Sequence, residues 1–249
     1  MTNSFSSQAE HEIAHGKKLV EVYPERIWGW GTPAGRLRAL RRAEMIANGA
    51  GLGPGVRALE IGCGTGIFTE KFAETGTHLV AVDISADLLK RARDRGLSPA
   101  RVRFLEKRFE ECDVDGPFDA IIGSSVLHHL ILNLALVKIF DLLKPGGRIS
   151  FAEPNMLNPQ IFLERKFRRL HLFWYISLDE TAFVRWQLKK ILLENRFIDV
   201  EIKPLDWLHP STPSHLISLV SNMGRYLEKA PVLREFAGSL YISARRPRY

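Results

Sequence analysis

Cysteine is almost absent: Cys63 and Cys112 are the only two in 249 residues. Two are too few for a disulfide-stapled secreted scaffold, and they suit a reducing compartment. Neither sits in a C-x-x-C pair, which argues against a cysteine-rich zinc site. No clustered set of His, Asp and Glu points to another metal, so none is expected. Long apolar runs are missing too: no stretch reaches about 18 uninterrupted apolar residues, the length a helix needs to cross a bilayer. The opening MTNSFSSQAEHEIAHGKKL lacks the apolar core of a signal peptide. The expected location is cytoplasmic. There is no internal repeat and no low-complexity segment.

What is present is ordinary for a globular protein, with 45% hydrophobic and 25% charged residues. One large domain, or one domain with a substantial insertion, fits the length. The net charge of +7 favours an anionic partner such as a phosphorylated substrate, nucleic acid or an acidic membrane face, and chooses none of them.

Along the chain, Ala34 to Asn48 reads as a helix with Leu37, Leu40 and Ile46 on one face, stopped by GAGLGPG. Strands and helices then alternate. Strands are expected at Arg57–Ile61, His78–Ile84, Val102–Leu105, Phe118–Ser124 and Arg148–Ala152. Helices are expected at Ile67–Thr75, from an N-cap at Ser85 to about Arg95, and at Leu130–Leu143. This rhythm is that of βαβ units on a parallel sheet. After Pro154 it breaks. Residues 155–178 are aromatic and basic; a helix follows from Glu180 to Asn195, then a strand at Asp199–Lys203. Residues 207–236 hold a loop and a further helix, and SLYISARR reads as an edge strand. The two late blocks, 155–178 and 207–236, are where a cover over the substrate is expected.

The sharpest signal is ALEIGCGTG, residues 58–66, between the first strand and its helix. Gly62, Gly64 and Gly66 let the backbone turn tightly beside a ligand. A P-loop would need G-x-x-x-x-G-K-[ST], and no Lys is present; a dinucleotide fingerprint would need G-x-G-x-x-G, and the spacing here is G-x-G-x-G. Glu60, two residues ahead, would repel a pyrophosphate but could pair with an ammonium group. Asp83 ends the second strand, where a carboxylate can accept both hydroxyls of a ribose. The pattern asks for a nucleoside with a free ribose diol, a positive group nearby and no diphosphate.

These residues resemble the class I S-adenosylmethionine-dependent methyltransferases. The match consists of E-x-G-x-G-x-G after strand one, the acidic end of strand two, FDAIIGSSVLHHL as strand four, and LLKPGGRISFAEP leading into strand five. It covers residues 55–155 well and the remainder loosely, and V-L-H-H-L is similar to small-molecule enzymes of the quinone-biosynthesis type. The resemblance implies a Rossmann-like α/β fold: a seven-stranded, mostly parallel sheet in the order 3-2-1-4-5-7-6, strand seven antiparallel, flanked by helices and carrying a helical substrate-covering insertion. It implies residues 1–50 as an arm and helix covering the cofactor site and residues 51–249 as the methyltransferase domain. The implied cofactor is S-adenosyl-L-methionine, with Glu60 and the loop (Gly62, Cys63, Gly64, Gly66) holding the methionine part. Asp83 would hold the ribose, Ile84 would pack on adenine, and Ser124 and Ser125 would pass beside the methionine part. Where many relatives carry Asp after strand three, this chain has Arg108. Adenine is then held by Phe109 and backbone, or by Glu110 or Glu111; Phe109 is alternatively a core aromatic.

Methyl transfer is an in-line displacement, for which the enzyme aligns the acceptor, excludes water and, for an acidic acceptor, removes a proton. His128 and His129 follow strand four at the ligand-binding edge of the sheet; His129 matches the family's recurrent His and is the preferred base. Glu153 either orients a polar acceptor or is a satisfied carboxylate at the sheet edge. Trp28 and Trp30, with Tyr23, either anchor the N-terminal arm or set an aromatic face against the sulfonium. Phe173 and Trp174 are expected to line an acceptor pocket beneath a lid. The alternative for 161–174 is transient contact with a membrane surface. The expected acceptor is a small molecule, methylated on O, N or C, with no nucleic acid partner and an open oligomeric state. RNA or protein methylation, a non-catalytic partner subunit and, least well matched, a nicotinamide dehydrogenase are the competing readings.

Overall fold

The structure is a computed structural model, and it describes residues 23–167 and 182–249. Seven strands form one sheet: β1 Arg57–Ile61, β2 His78–Asp83, β3 Val102–Glu106, β4 Phe118–Ser124, β5 Leu143–Pro154, β6 Ile198–Leu205 and β7 Ser239–Arg245. Their order is β3-β2-β1-β4-β5-β7-β6. The first five pair in parallel, and β7 runs antiparallel to both β5 and β6. The sequence pattern of β7 alone suggested an edge. Instead it lies inside the sheet, and the true edge is β6, whose exposed Asp199, Glu201 and Lys203 alternate with buried Val200, Ile202 and Pro204. Charge and proline suit an unpaired edge.

Eight α-helices are described: α1 Pro24–Ile27, α2 Pro33–Ala50, α3 Ile67–Ala73, α4 Ala86–Arg93, α5 Leu132–Leu142, α6 Pro159–Phe167, α7 Arg185–Glu194 and α8 Ile217–Leu227. Ser85 caps α4, its hydroxyl accepting from the Leu88 N–H. Thr32 caps α2 in the same way at Gly35. One face of the sheet, bearing Ala58, Ala120, Ile122 and Ala152, packs with α2 and α3; the other, bearing Leu59, Ile61, Ile121 and Phe151, packs with α5 and α7.

The buried side of α2 differs from the expected one. Ala34, Ala39, Arg42, Ala43, Ile46 and Ala47 face inward, whereas Leu37 and Leu40 are exposed. Small side chains let this helix lie close on β4 and β5, and one arginine shares that face. The helix expected from Glu180 begins, within the described residues, at Arg185. No helix of the described residues is long and apolar enough to cross a membrane.

Candidate active site

A cavity of about 390 Å³ opens at the carboxyl ends of β1, β2 and β4, the edge at which open α/β sheets bind ligands. The glycine loop forms its floor. Gly62, Gly64 and Gly66 all have positive φ, at +66°, +53° and +75°, a conformation that a Cβ disfavours. The amides of Gly62, Cys63, Gly64 and Gly66 are turned inward. Gly62 and Cys63 both donate to the Val82 carbonyl at 2.8 and 3.1 Å, and Gly66 donates to Cys63 at 2.9 Å. Gly64 donates to Asp83 Oδ2 at 2.7 Å. Amides spent in this way cannot form the anion cradle that a diphosphate requires.

Asp83 accepts two backbone N–H groups, from Gly64 on Oδ2 and from Ser85 on Oδ1 at 2.9 Å. The side chain thus fixes the loop and the start of α4 and lines the cavity as a hydrogen-bond acceptor. Gly62 packs against Val126, and a Cβ there would lie 2.4 Å from Val126 Cγ2. Gly62→Ala should therefore cost about 1–2 kcal/mol for the left-handed backbone and displace Val126 as well. The expected result is a lower melting temperature and loss of nucleoside binding, read by thermal denaturation and calorimetry.

Of the residues expected to hold a cofactor, Gly62, Cys63, Gly64, Asp83, Ile84, Phe109, Ser124 and Ser125 line the cavity. Glu60 and Gly66 do not. Gly66 allows close helix packing, since a Cβ there would meet Ala92 at 3.0 Å. Glu60 is buried on the α3 side of β1, and its Oε2 has no hydrogen-bond partner. Burial pushes its carboxyl up to about 8, opposed by the Thr69 hydroxyl and reinforced by the Asp83 charge. Burial thus favours its neutral form, and its side chain does not line the cavity. Burial, followed by the Asp83 and Glu60 charges, raises the Cys63 thiol well above its usual range, so it is no nucleophile.

At the far end of the cavity, Arg108 pairs with Glu110 and Glu111. Glu110 lines the cavity and Glu111 does not. Trp28 lines the cavity over Gly64, whose Cβ would lie 3.5 Å from its ring. Trp30 also lines it, but as part of the core: it stands edge-on to Phe68, with the Arg42 and Arg38 guanidinium groups 5.0 and 5.4 Å from its ring centre. Phe173 and Trp174 lie outside the described residues.

Sequence reasoning missed Arg42. This buried side chain donates to the hydroxyls of Ser125 at 3.0 Å and Ser124 at 3.3 Å. It also donates to Asp206 Oδ2 at 3.0 Å and to Ser239 at 2.5 Å. Burial opposes ionisation of Asp206, but Arg38 and Arg42 hold its carboxyl below the ordinary 3.8. Because Ser124 and Ser125 accept from Arg42, their own O–H groups remain to donate. The only trace in the sequence was a basic residue at helical spacing from Ala39 and Ile46.

The two histidines adjoin each other, with ring centres 4.2 Å apart, and both line the cavity. Glu153 does not line it and is fully buried. Its Oε1 accepts from the N–H groups of Val126 and Leu127, each at 2.9 Å, and its Oε2 lies 2.6 Å from His128 Nδ1. Of the two earlier readings of Glu153, the geometry gives the internally satisfied one, since no oxygen is turned to an acceptor. Burial raises its carboxyl, but the bond and charge of His128 outweigh this and hold it below its ordinary value. Among the described residues, no group of three or more His, Cys, Asp or Glu could hold a metal ion.

The sheet order β3-β2-β1-β4-β5-β7-β6, with β7 antiparallel, is a Rossmann-like arrangement. Residues 58–147 match the family model for a methyltransferase domain. Among curated proteins, the chain is 35% identical over 136 residues to a ubiquinone biosynthesis O-methyltransferase of Xylella fastidiosa (strain 9a5c), covering 51% of this chain and 55% of that one. It is 28% identical over 135 residues to nodulation protein S of Rhizobium tropici, covering 53% and 57%. The chain thus spans about half the length of the curated relatives it matches. Among solved structures, a possible histamine N-methyltransferase of Thermotoga maritima superposes with a TM-score of 0.67 at 17% identity, covering 94% of this chain and 99% of that one. Phosphoethanolamine N-methyltransferase 2 of Haemonchus contortus gives 0.64 at 17%, covering 88% and 55%. At these identities the structural matches speak for the fold.

Proposed function

We propose that this chain transfers the methyl group of S-adenosyl-L-methionine to a small-molecule acceptor. The observation that carries the reading is the glycine loop, whose Gly62, Cys63, Gly64 and Gly66 amides are spent inside the protein beside a carboxylate, Asp83, that lines the cavity. Such a site takes a nucleoside without a diphosphate, which excludes dinucleotides and nucleoside triphosphates. Solved relatives in complex with S-adenosyl-L-methionine or S-adenosyl-L-homocysteine support the same cofactor.

In this reading Asp83 accepts the ribose hydroxyls. Ile84, Leu88 and Phe109 surround the adenine, and Glu110 takes the place of the missing Asp at its amino group. Ser124 and Ser125, polarised by Arg42, donate to the carboxylate of the methionine part. The cofactor supplies an electrophilic methyl group on a positive sulfur; the chain's own residues orient the acceptor against it and exclude water. Glu164 and Arg165 of α6 line the cavity, which supports reading residues 155–167 as part of a cover over the acceptor. Its exposed Phe162 and Leu163 are the described part of a surface that could instead touch a membrane. Two buried free cysteines suit a cytoplasmic setting.

The test is calorimetry with S-adenosylmethionine, S-adenosylhomocysteine and NAD, followed by a radiolabelled methyl-transfer screen over catechols, primary amines and tertiary amines. Micromolar binding of the two sulfur nucleosides and none of NAD is expected; the reverse would overturn the reading. Turnover should change little with salt. A nucleic acid substrate neutralising several phosphates would instead lose about 10³–10⁵ in affinity between ~50 and ~200 mM salt.

A further inference from the structure

We infer that Lys138 of α5 is the positioning residue that sets base selectivity at this site: from outside the cavity it holds the loop after β3 in the shape that distinguishes an aminopurine from an oxopurine. This rests on the methyl-transfer reading above and adds to it a residue that does not line the cavity.

The loop after β3 has little regular structure of its own. Residues 109–111 make a single 3₁₀ turn, in which the Glu111 and Cys112 N–H groups donate to the Arg108 and Phe109 carbonyls, each at 3.2 Å. So short a turn needs donors from elsewhere for its later carbonyls. Lys138 supplies them. Its ammonium donates to the carbonyls of Glu110 at 3.1 Å and Cys112 at 2.5 Å. The same nitrogen lies 5.6 Å from the centre of the Phe109 ring, within the range of cation–π attraction. Two further bonds fix the loop at its ends. The Lys107 N–H donates to the Asp83 carbonyl at 2.9 Å, and the Ile131 N–H, just ahead of α5, donates to Glu110 Oε1 at 3.3 Å. Arg108 Nε lies 3.4 Å from the other oxygen of Glu110.

Phe109 and Glu110 line the cavity and are the two side chains of this turn that do so. Their contributions to recognition differ. An aromatic face accepts any purine, whereas a carboxylate accepts from an amino group and repels a ring oxygen. Discrimination therefore depends on where Glu110 stands, and its main chain is what Lys138 holds. An ammonium suits the task, since three rotatable donors on a compact charge can serve two carbonyls and a ring face together.

The experiment is calorimetric binding of S-adenosylhomocysteine and S-inosylhomocysteine to the full chain and its variants. Wild type should prefer the adenosine compound by about tenfold or more, the worth of one charge-assisted hydrogen bond. Lys138→Met, which keeps the aliphatic stem and removes the donors, should lose most of that preference while binding the inosine compound within a few fold of wild type. Lys138→Arg, which can still donate to carbonyls, should recover part of it. Lys144→Met removes the same charge at the amino end of β5, where it pairs with Asp119, and should leave the preference intact. Lys138→Gln repeats the comparison should Lys138→Met not fold in a thermal melt. A preference unchanged by loss of the lysine, affinities for both compounds that fall together, or a wild type that binds both equally overturns the inference. A wild type that binds neither compound is a different result, which overturns the methyl-transfer reading and this inference with it.

Discussion

Asp83→Ala should abolish measurable binding of S-adenosylhomocysteine in a protein that still folds. Two charge-assisted hydrogen bonds to a ribose diol contribute about 1.5–3 kcal/mol each, so affinity should fall on the order of 10²–10⁴-fold. A second loss adds to the first. The N–H groups of Gly64 and Ser85 would have no acceptor, loosening the loop and the first turn of α4 together. The melting temperature should drop by several degrees, consistent with about 1–3 kcal/mol for each donor left unmet. Asp83→Asn should recover part of the stability and little of the affinity, because its NH₂ group cannot accept. Binding within threefold of wild type in Asp83→Ala would remove this residue from the site.

Arg42→Met should be the most destabilising single change near the cavity. It would leave Asp206 buried with Arg38 as its remaining ion-pair partner, at 3.5 Å, and breaking a buried pair costs about 3–5 kcal/mol. The double variant Arg42→Met/Asp206→Leu should regain only part of that stability, since it removes the Arg42–Asp206 pair but leaves Arg38 without its carboxylate. It should not regain cofactor affinity, because Ser124 and Ser125 would still lack the guanidinium that fixes and polarises their hydroxyls. Thermal melts and calorimetry on the same three proteins separate the two effects.

The pair also predicts an acid limit. The folded value of Asp206 lies below its ordinary 3.8, so its contribution to stability is complete above about pH 4 and is lost as pH falls through the lowered folded value. In the double variant this share of the acid sensitivity should vanish.

The parts legible in the sequence were those encoded locally. The strand-to-helix glycine loop, the strand ending at Asp83 and the Ser85 cap each depend on residues within one turn of chain, and their composition carries the signal. The parts that were not legible depend on what arrives from elsewhere. Arg42 reads as one more surface base in RLRALRRAEMI until Asp206 and Ser239 are brought against it from the end of the chain. Leu37 and Leu40 looked like the buried face of α2 because they are large, whereas the sheet accepts that helix through its alanines. Glu60 and Glu153 looked alike as carboxylates near strand ends. One faces α3 without a partner for its Oε2, and the other is wholly committed to the turn before α5. Only packing distinguishes them.

The position of β7 has a consequence for synthesis. Residues 239–245 are the last of the seven strands to be made, yet they lie between β5 and β6. As the chain leaves the ribosome, β1 to β5 can assemble in parallel while β6 has nowhere to dock. Asp206 then waits with it, since Ser239 begins the strand that brings both to Arg42. The nascent protein therefore holds an open flank at β5 until its closing strand inserts, and the cavity end of the sheet acquires its buried charge pair only at that moment.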